Sequence, residues 1–447
     1  MEKRINKEKI ILILILLVFG ILITFLAFKL RMGVSPDSFY HLEVSKAYST
    51  TLGIPDNTPD TYKYRDITRI AYLYFWVNGR ILNINNGFIN EIIVLRIVNV
   101  LYSLGTVYVM YLLSKEIIKK RFERLLPLFF LTSTLMFVFL SSSINYDNLA
   151  NLLSILSIFF FVKFVKSKLD IKHLLFMFLF LCLGGLTKFT VLPLAFILTV
   201  LSIVDIFKKR ELLKSIKINK YFLLLIPILF LGILNVELYG TNIFKYGGLE
   251  PACEKILTHE QCLSNGVYYR DNVTLPGIKI DNFGDIVNLV QSGDRISPLG
   301  YFFKWIPNFV MKIYGIMGDS SLFMNSIFTY VYIGIFLISI LLGLIYYKKW
   351  KVLDIYLVLI FLFYMLILFI FQNYDMYLKH NHFYLGLQGR YIFPVISIMY
   401  ILFTKSFTFI KYKWLKYLIL IPIIILFIYS CIPFFFSNVE DWWLSGV

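Results

Sequence analysis

Charge is what this chain has least of. Only 16% of its 447 residues are charged, and acids are the scarcer sign, 27 Asp/Glu against 44 Lys/Arg. With 59% hydrophobic residues, it exceeds the roughly 45–50% apolar content of soluble domains, so one water-soluble core is excluded. No Gly-rich phosphate loop with its Lys-Ser/Thr occurs. The short polar stretches 114–124, 163–172, 208–220, 348–352 and 405–416 are too small to hold a nucleotide, which argues against an ATP-driven pump. Strand-type alternation is weak, which argues against an outer-membrane barrel. No internal repeat supports a repeat-built transporter. Cysteine is scarce at four. Cys182 and Cys431 lie in apolar runs and read as small core residues. Cys253 and Cys262 share one long loop where oxidation is permitted, and a local disulfide is the favoured reading. Asn272-Val273-Thr274 in the same loop is a glycosylation sequon where the host has that machinery.

What is present is a succession of apolar runs near twenty residues long, the length that crosses a hydrocarbon layer of roughly 30 Å. Mean hydropathy is +0.74, and aromatics reach 18%, with 44 Phe and 31 Tyr. A backbone in hydrocarbon satisfies its own hydrogen bonds, so the runs are expected to be helices. Their positions are near 10–30, 92–113, 125–142, 148–162, 173–187, 189–207, 221–239, 327–347, 353–371, 390–404 and 417–436. The fold class expected is all-α: a polytopic transmembrane bundle of about eleven spans, treated as one domain over 1–447. The first run, Ile10 to Phe28, is too long for a signal sequence and lacks a small-residue cleavage site after it, so it reads as a retained span.

The net charge of +17 sorts by side. The N-terminus and the loops after even-numbered spans hold 26 Lys/Arg against 6 Asp/Glu, and the remainder holds 18 against 21. Short basic loops mark the cytoplasmic side. The N-terminus, including Lys3 and Arg4, is therefore expected inside. The loops 31–91 and 240–326, with the C-terminal tail, are expected outside a cell membrane. No basic stripe survives the sorting, so a nucleic-acid partner is not expected. The first loop should carry an interfacial helix within Ile67 to Ile84, where Tyr72, Tyr74, Phe75 and Trp76 mix with Arg69 and Arg80. The second loop is long enough for a small ordered subdomain. Its Phe302, Phe303, Trp305 and Phe309 suggest another interfacial stretch.

Polar residues at membrane depth or in tight turns are costly and often functional. Four such places fall on the same expected side. Asp37 follows the first span in the first turn of a helix that Pro36 can open, with His41 one turn later on the same face. Such a carboxylate can take a proton from an acceptor hydroxyl, or simply be a solvated helix-start residue. Asp147, in Asn145-Tyr146-Asp147-Asn148, occupies a short turn between spans, where capping is the simpler reading. Lys188, between two apolar runs with almost no loop, opposes the sidedness rule, so an anion is expected to hold it. Gln388-Gly389-Arg390-Tyr391 opens the tenth span, and Arg390 can bind phosphate bidentately or snorkel to headgroups. His380 and His382 precede it. With His41 and the aspartates they leave room for a divalent cation, but no ligand spacing marks a metal site, and satisfied polar histidines are the simpler reading.

These motifs, Pro36-Asp37-Ser38-Phe39-Tyr40-His41, Asn145 to Ala150, Leu186-Thr187-Lys188-Phe189-Thr190 and Gln388-Gly389-Arg390-Tyr391 with Pro394, resemble in order and sidedness those of the GT-C superfamily of membrane glycosyltransferases. That superfamily includes protein O-mannosyltransferases and aminoarabinose transferases. The resemblance covers about residues 10 to 410. It implies sugar transfer, with inversion, from a polyprenyl-phosphate donor to a lipid, glycan or protein acceptor outside the cytoplasm. Asp37 would be the general base. Asp147 would orient the base, the acceptor or a cation. Lys188 and Arg390 would steady the leaving phosphate, with His41, Gln388 and Tyr391 binding substrate beside them. One departure stands: the family often has two adjacent acids in the first motif, and here Ser38 follows Asp37, so Asp147 or Glu43 would have to supply the second. A transporter or flippase of lipid-linked sugars shares most of these features but needs no base. An envelope polysaccharide polymerase or ligase would lean on late-loop residues such as His380 and His382, and an assembly protein would need none of them.

Overall fold

The computed structural model describes residues 7–211 and 220–446. Lys3, Arg4 and most of the basic stretch 208–220 lie outside the described residues. Among the described residues, nine helices are long and apolar enough to cross a membrane. A tenth span forms if Phe122–Thr132 and Leu135–Ser141, bent by 71°, count as one. The 17-residue helix Ile171–Thr187 takes the remaining expected position. At 1.5 Å per residue it is about 26 Å long, slightly less than the hydrocarbon thickness. All eleven expected spans therefore coincide with helices or with the bent pair.

Burial separates the spans into centre and rim. Asp147–Lys166 and Gly389–Thr408 are mostly enclosed by other helices, whereas Lys220–Tyr246 is almost wholly uncovered. The uncovered faces are apolar: Ile13, Leu14, Leu17, Val18 and Ile21 of the first span are all exposed. In water such a patch would mark an interface; on a membrane span it is the face for acyl chains. The first span, Lys7–Lys29, ends where Arg96 of the neighbouring helix Glu91–Ile117 intrudes. Fully buried, Arg96 donates to the carbonyls of Ala27 at 2.7 Å and Leu30 at 2.6 Å. These are carbonyls that a helix terminus leaves without intrahelical partners.

The bend between Phe122–Thr132 and Leu135–Ser141 falls at Ser133 and Thr134. The Thr134 hydroxyl bonds back to the Phe130 carbonyl at 2.8 Å and meets Tyr400 on a central span. Such back-bonding by Thr bends helices.

The two long connections fold over one end of the bundle. In the first, helices Ser38–Ser49 and Leu73–Asn85 cross so closely at Gly79 that a Cβ there would lie 2.7 Å from the Tyr48 carbonyl carbon. The helix in the stretch Ile67 to Ile84 begins only at Leu73. Ile67 is instead a buried strut, its carbonyl accepting from the Tyr48 hydroxyl at 2.9 Å. In the second connection, Cys253 and Cys262 are bonded to each other and pack with Leu257, Tyr268 and Tyr62. Asn265 ties this cluster to the first connection, donating to the Lys63 carbonyl at 2.6 Å and accepting from Arg65 Nε at 3.3 Å. The amphipathic helix Pro298–Tyr314 buries Tyr301, Trp305 and Phe309 in steps of four residues. A short hairpin, Ile316–Met317 with Ser321–Leu322, follows. Its tip presses on the chain after the first span: Ser320 N–H donates to the Val34 carbonyl at 3.4 Å.

Candidate active site

The four motif residues converge beneath those folded connections. Arg390 Nη2 donates to an Asp37 carboxylate oxygen at 2.5 Å. Arg390 Nε lies 3.6 Å from the second oxygen of Asp147, and the first oxygen of Asp147 accepts from Lys188. Acid and base thus alternate along one chain, Asp37, Arg390, Asp147, Lys188, drawn from four separate parts of the sequence. Lys188, Asp147 and Arg390 are 3–5% exposed at their side chains, while Asp37 is 48% exposed. Asp37 is the member that opens outward.

Local structure accounts for each position. Asp37 is the residue before helix Ser38–Ser49, not in its first turn, and has φ 56°. Asp tolerates that left-handed conformation better than most residues. Its side chain makes no capping bond, which leaves it to Arg390. Asp147 is the first residue of Asp147–Lys166, where the macrodipole favours a carboxylate, and its N–H donates to Asn145 Oδ1 at 2.9 Å. Asn145 Nδ2 donates to the Pro36 carbonyl at 3.1 Å, which fastens the second motif to the first. Behind it Asn99 and Asn148 are 3.0 Å apart, and Asn99 also donates to the Tyr74 hydroxyl at 2.9 Å. This buried polar network has few alternative arrangements, since each member would otherwise be left unpaired. Lys188 sits in the extended break between Ile171–Thr187 and the next helix. Its ammonium lies 4.4 Å from the Tyr146 ring centroid and 5.1 Å from that of Tyr391, so the rings add cation–π attraction to the Asp147 pair.

Arg390 retains unused capacity. Among the described residues, its Nη1 and Nε are buried without hydrogen-bond partners, as are Gln388 Oε1 and the second oxygen of Asp147. Buried donors are usually satisfied, and orphaned ones point to a ligand or a functional role. His41 is placed differently from Asp37: fully buried, with Tyr146, Tyr40, Phe75 and Tyr74 around its ring at centroid distances of 4.5 to 5.9 Å. Burial drives its pKa down to about 3, so the ring is neutral at pH 7. His380 Nδ1 is held 2.8 Å from the Leu275 carbonyl. Glu43 lies outside the chain of ion pairs and binds Lys46 at 3.2 Å.

Two acids that the motifs did not single out adjoin the site. Asp319, at the hairpin tip, has its pKa raised to about 6 by burial and then by the negative charge of Asp37. Glu250, from the second long connection, is raised by burial, with Arg65 and Lys188 opposing. Asp37, Asp319 and Glu250 each keep accessible surface but are crowded by protein on other sides, as groups in a recess are. For Asp37, burial is the largest influence and works upward, but Arg390, with smaller help from His41 and Lys188, together outweighs it and holds the pKa at about 2. The sequence signal for Asp319 was the turn Gly318-Asp319-Ser320, a pattern common in exposed loops.

A divalent cation fits this arrangement poorly. The oxygens of Asp37 and Asp147 already face Arg390 and Lys188. Among the described residues, no three His, Cys, Asp or Glu are grouped so as to hold a metal ion.

The architecture is that of a multi-pass membrane protein with the GT-C fold. Residues 71–234 match the family model described as dolichyl-phosphate-mannose-protein mannosyltransferase. Among solved structures, the chain is similar to ArnT from Cupriavidus metallidurans bound to undecaprenyl phosphate, with a TM-score of 0.53 and 13% identity over 92% of this chain and 63% of that one. It is also similar to the Archaeoglobus fulgidus oligosaccharyltransferase in complex with zinc and sulfate, with a TM-score of 0.50 and 11% identity over 97% of this chain and 53% of that one. At these identities the likeness is one of fold. The chain spans 63% and 53% of the lengths of those two proteins. No curated protein sequence matches it. The family model and the fold agree with the GT-C resemblance carried by the motifs.

Proposed function

We propose that this protein is a membrane glycosyltransferase that moves a sugar from a polyprenyl-phosphate donor to a hydroxyl acceptor at the outer face of a cell membrane. The observation that carries the reading is the single chain Asp37–Arg390–Asp147–Lys188, with unpartnered Arg390 nitrogens at its centre. A transporter of lipid-linked sugars has use for the cations but not for an accessible carboxylate fixed beside them.

In the reaction, Asp37 accepts the acceptor's hydroxyl proton while that oxygen attacks the anomeric carbon. The bond from that carbon to the phosphate oxygen breaks, and its electron pair leaves with the lipid phosphate. Displacement from the face opposite the phosphate inverts the anomeric centre. Arg390, through Nη1 and Nε, and Lys188 stabilise the charge that develops on the departing phosphate; prearranged electrostatic help of this kind is usually the largest catalytic contribution. Asp147 holds both cations in place. A carboxylate with a pKa near 2 is a weak base, and general bases work best near the operating pH. Phosphate entering against Arg390 would draw its charge from Asp37 and make that carboxylate more basic as the substrate arrives.

The test is Asp37→Asn, expressed in membranes and assayed for transfer from a short-chain polyprenyl-phosphate sugar. Transfer should fall by 10²-fold or more, within the usual range for a positioned base. Undiminished transfer at equal membrane abundance would sink the assignment. Passage of the lipid-linked sugar across vesicles without any transfer would establish the transporter instead.

A further inference from the structure

One cavity lies nowhere near Asp37. It has a volume of about 600 Å³ and opens at the opposite end of the bundle, among Lys115, Lys166, Lys351 and Lys405. Three helices run from one place to the other. Asp147–Lys166 begins at the candidate active site and ends at the cavity, as do Glu91–Ile117 and Gly389–Thr408. The nineteen residue-to-residue steps from Asp147 to Lys166 span about 28 Å of helix, close to one hydrocarbon thickness. The two places therefore belong to opposite membrane faces.

Eight Lys/Arg and three Asp/Glu line the cavity, and the three acids are already committed. Glu116 pairs with Lys163 at 3.4 Å and with Lys166. Glu123 pairs with Lys120 at 3.4 Å and with Lys416. Asp354, 1% exposed, pairs with Lys405 and accepts from the Lys351 N–H at 2.8 Å. Four lining ammonium groups, Lys115, Lys119, Lys349 and Lys351, have no carboxylate within 4 Å among the described residues. Lys349 rests on the Tyr346 ring at 4.3 Å. Apolar Ile117, Ile118, Leu353 and Phe409 complete the walls.

Basic residues are expected at a cytoplasmic face in any membrane protein. That rule asks only for their presence in the loops. It does not ask that they converge on one concavity whose three acids are each held in ion pairs while four ammonium groups are left without a carboxylate among the described residues. A volume of this size lies within the range of ligand sites, and uncompensated ammonium groups beside apolar walls suit an anion joined to a greasy body. We propose that this cavity is a binding site for a two-phosphate anionic group, separate from the candidate active site and at the cytoplasmic face. Its ligand is the head group of an inner-leaflet lipid or a free diphosphate.

The full chain, purified in detergent, would be examined by native mass spectrometry with tetraoleoyl cardiolipin, with dioleoyl phosphatidylglycerol, and with inorganic diphosphate. The variant is Lys349→Ala/Lys351→Ala. Both side chains are exposed and make no ion pair among the described residues, so folding should be unaffected. Lys279→Ala, 85% exposed in the second long connection, is the control. Cardiolipin should be retained by wild type and by the control. The double variant should lose affinity by about fivefold per lysine, on the order of twentyfold in total, and Lys349→Arg/Lys351→Arg should restore it. Cardiolipin retained in preference to phosphatidylglycerol supports the site and places its ligand in the membrane. Binding of diphosphate alone supports the site and places its ligand in solution. Failure of both two-phosphate probes to bind wild type, or equal binding by wild type and the double variant, overturns the proposal.

Discussion

Arg390 donates to Asp37 at 2.5 Å across 353 residues of sequence. The pair joins the chain just after the first span to the start of the tenth. Because Asp37 is half-exposed, solvent screening limits the pair's contribution to folding to about 1 kcal/mol or less. Its larger consequence is chemical: the same guanidinium governs the basicity of Asp37 and offers nitrogens to a phosphate.

Arg390→Lys tests that double duty. Lysine keeps the charge but replaces a planar fork with a single ammonium. Transfer should fall by about 10²-fold or more in kcat, the scale of losing a donor to a developing anion, while membrane abundance stays near wild type. Unchanged kcat would remove Arg390 from the leaving group. Asp37 itself should not titrate in a neutral assay. Its pKa is lowered to about 2, so the stability that it contributes is complete above about pH 4 and is lost only as pH falls toward 2.

Asp319 should titrate where assays are run. Its pKa is raised to about 6, so between about pH 4 and 6 the folded state holds a proton that the unfolded chain has released. Asp319's contribution to stability therefore declines as pH rises through that window. Once ionised, it adds negative charge beside Asp37 and favours proton uptake there. Transfer in the wild type should rise through about pH 6, and Asp319→Asn should flatten that step while leaving protein yield intact. A pH profile unaltered by Asp319→Asn would separate this acid from the chemistry.

The spans were legible because length and apolarity are local properties, and each run from the first to the eleventh coincides with helix in the fold. The bend at Ser133 and Thr134 was not, because it depends on Thr134 meeting Tyr400, far away in sequence. Asp37, Asp147, Lys188 and Arg390 were visible as costly polar residues at span ends, but nothing local said that Asp147 would hold Lys188 or that Arg390 would lie between two acids. Asp319 was hidden for a related reason: an Asp in a Gly-Asp-Ser turn is unremarkable until a hairpin sets it beside Asp37. The burial of His41 was equally non-local, being produced by Tyr146 and Phe75 from other segments.

Lys188 and Asp147 should show the asymmetry of buried ion pairs. With both side chains at most 5% exposed, Lys188→Met leaves Asp147 facing Arg390 Nε alone at 3.6 Å. Breaking a buried pair costs about 3–5 kcal/mol, whereas removing both members is often close to neutral. Thermal unfolding in detergent should therefore rank wild type and Asp147→Asn/Lys188→Met above Lys188→Met alone. Both variants should lose transfer, since each lacks a cation at the site. A double variant no more stable than the single one would mean that the pair is not coupled as the geometry requires.

Gly389 fixes where Arg390 stands. A Cβ on Gly389 would lie 2.2 Å from the Lys312 carbonyl oxygen and 2.5 Å from the Ile313 nitrogen. These are backbone atoms of helix Pro298–Tyr314, which cannot swing aside as a side-chain tip could. That helix is also held from the other direction, since Lys312 Nζ donates to the Leu387 carbonyl at 2.7 Å. Gly389→Ala must therefore push the start of the tenth span away from the helix, and Arg390 with it. Overpacking of this kind costs about 1–3 kcal/mol, so unfolding should shift to lower temperature. Activity should suffer beyond that loss, because a displacement of about 1 Å at a positioning group can cost 10²-fold in rate. The check is kcat at a temperature where the variant is still folded by circular dichroism. Wild-type kcat there would mean that the close approach at Gly389 has no part in placing Arg390.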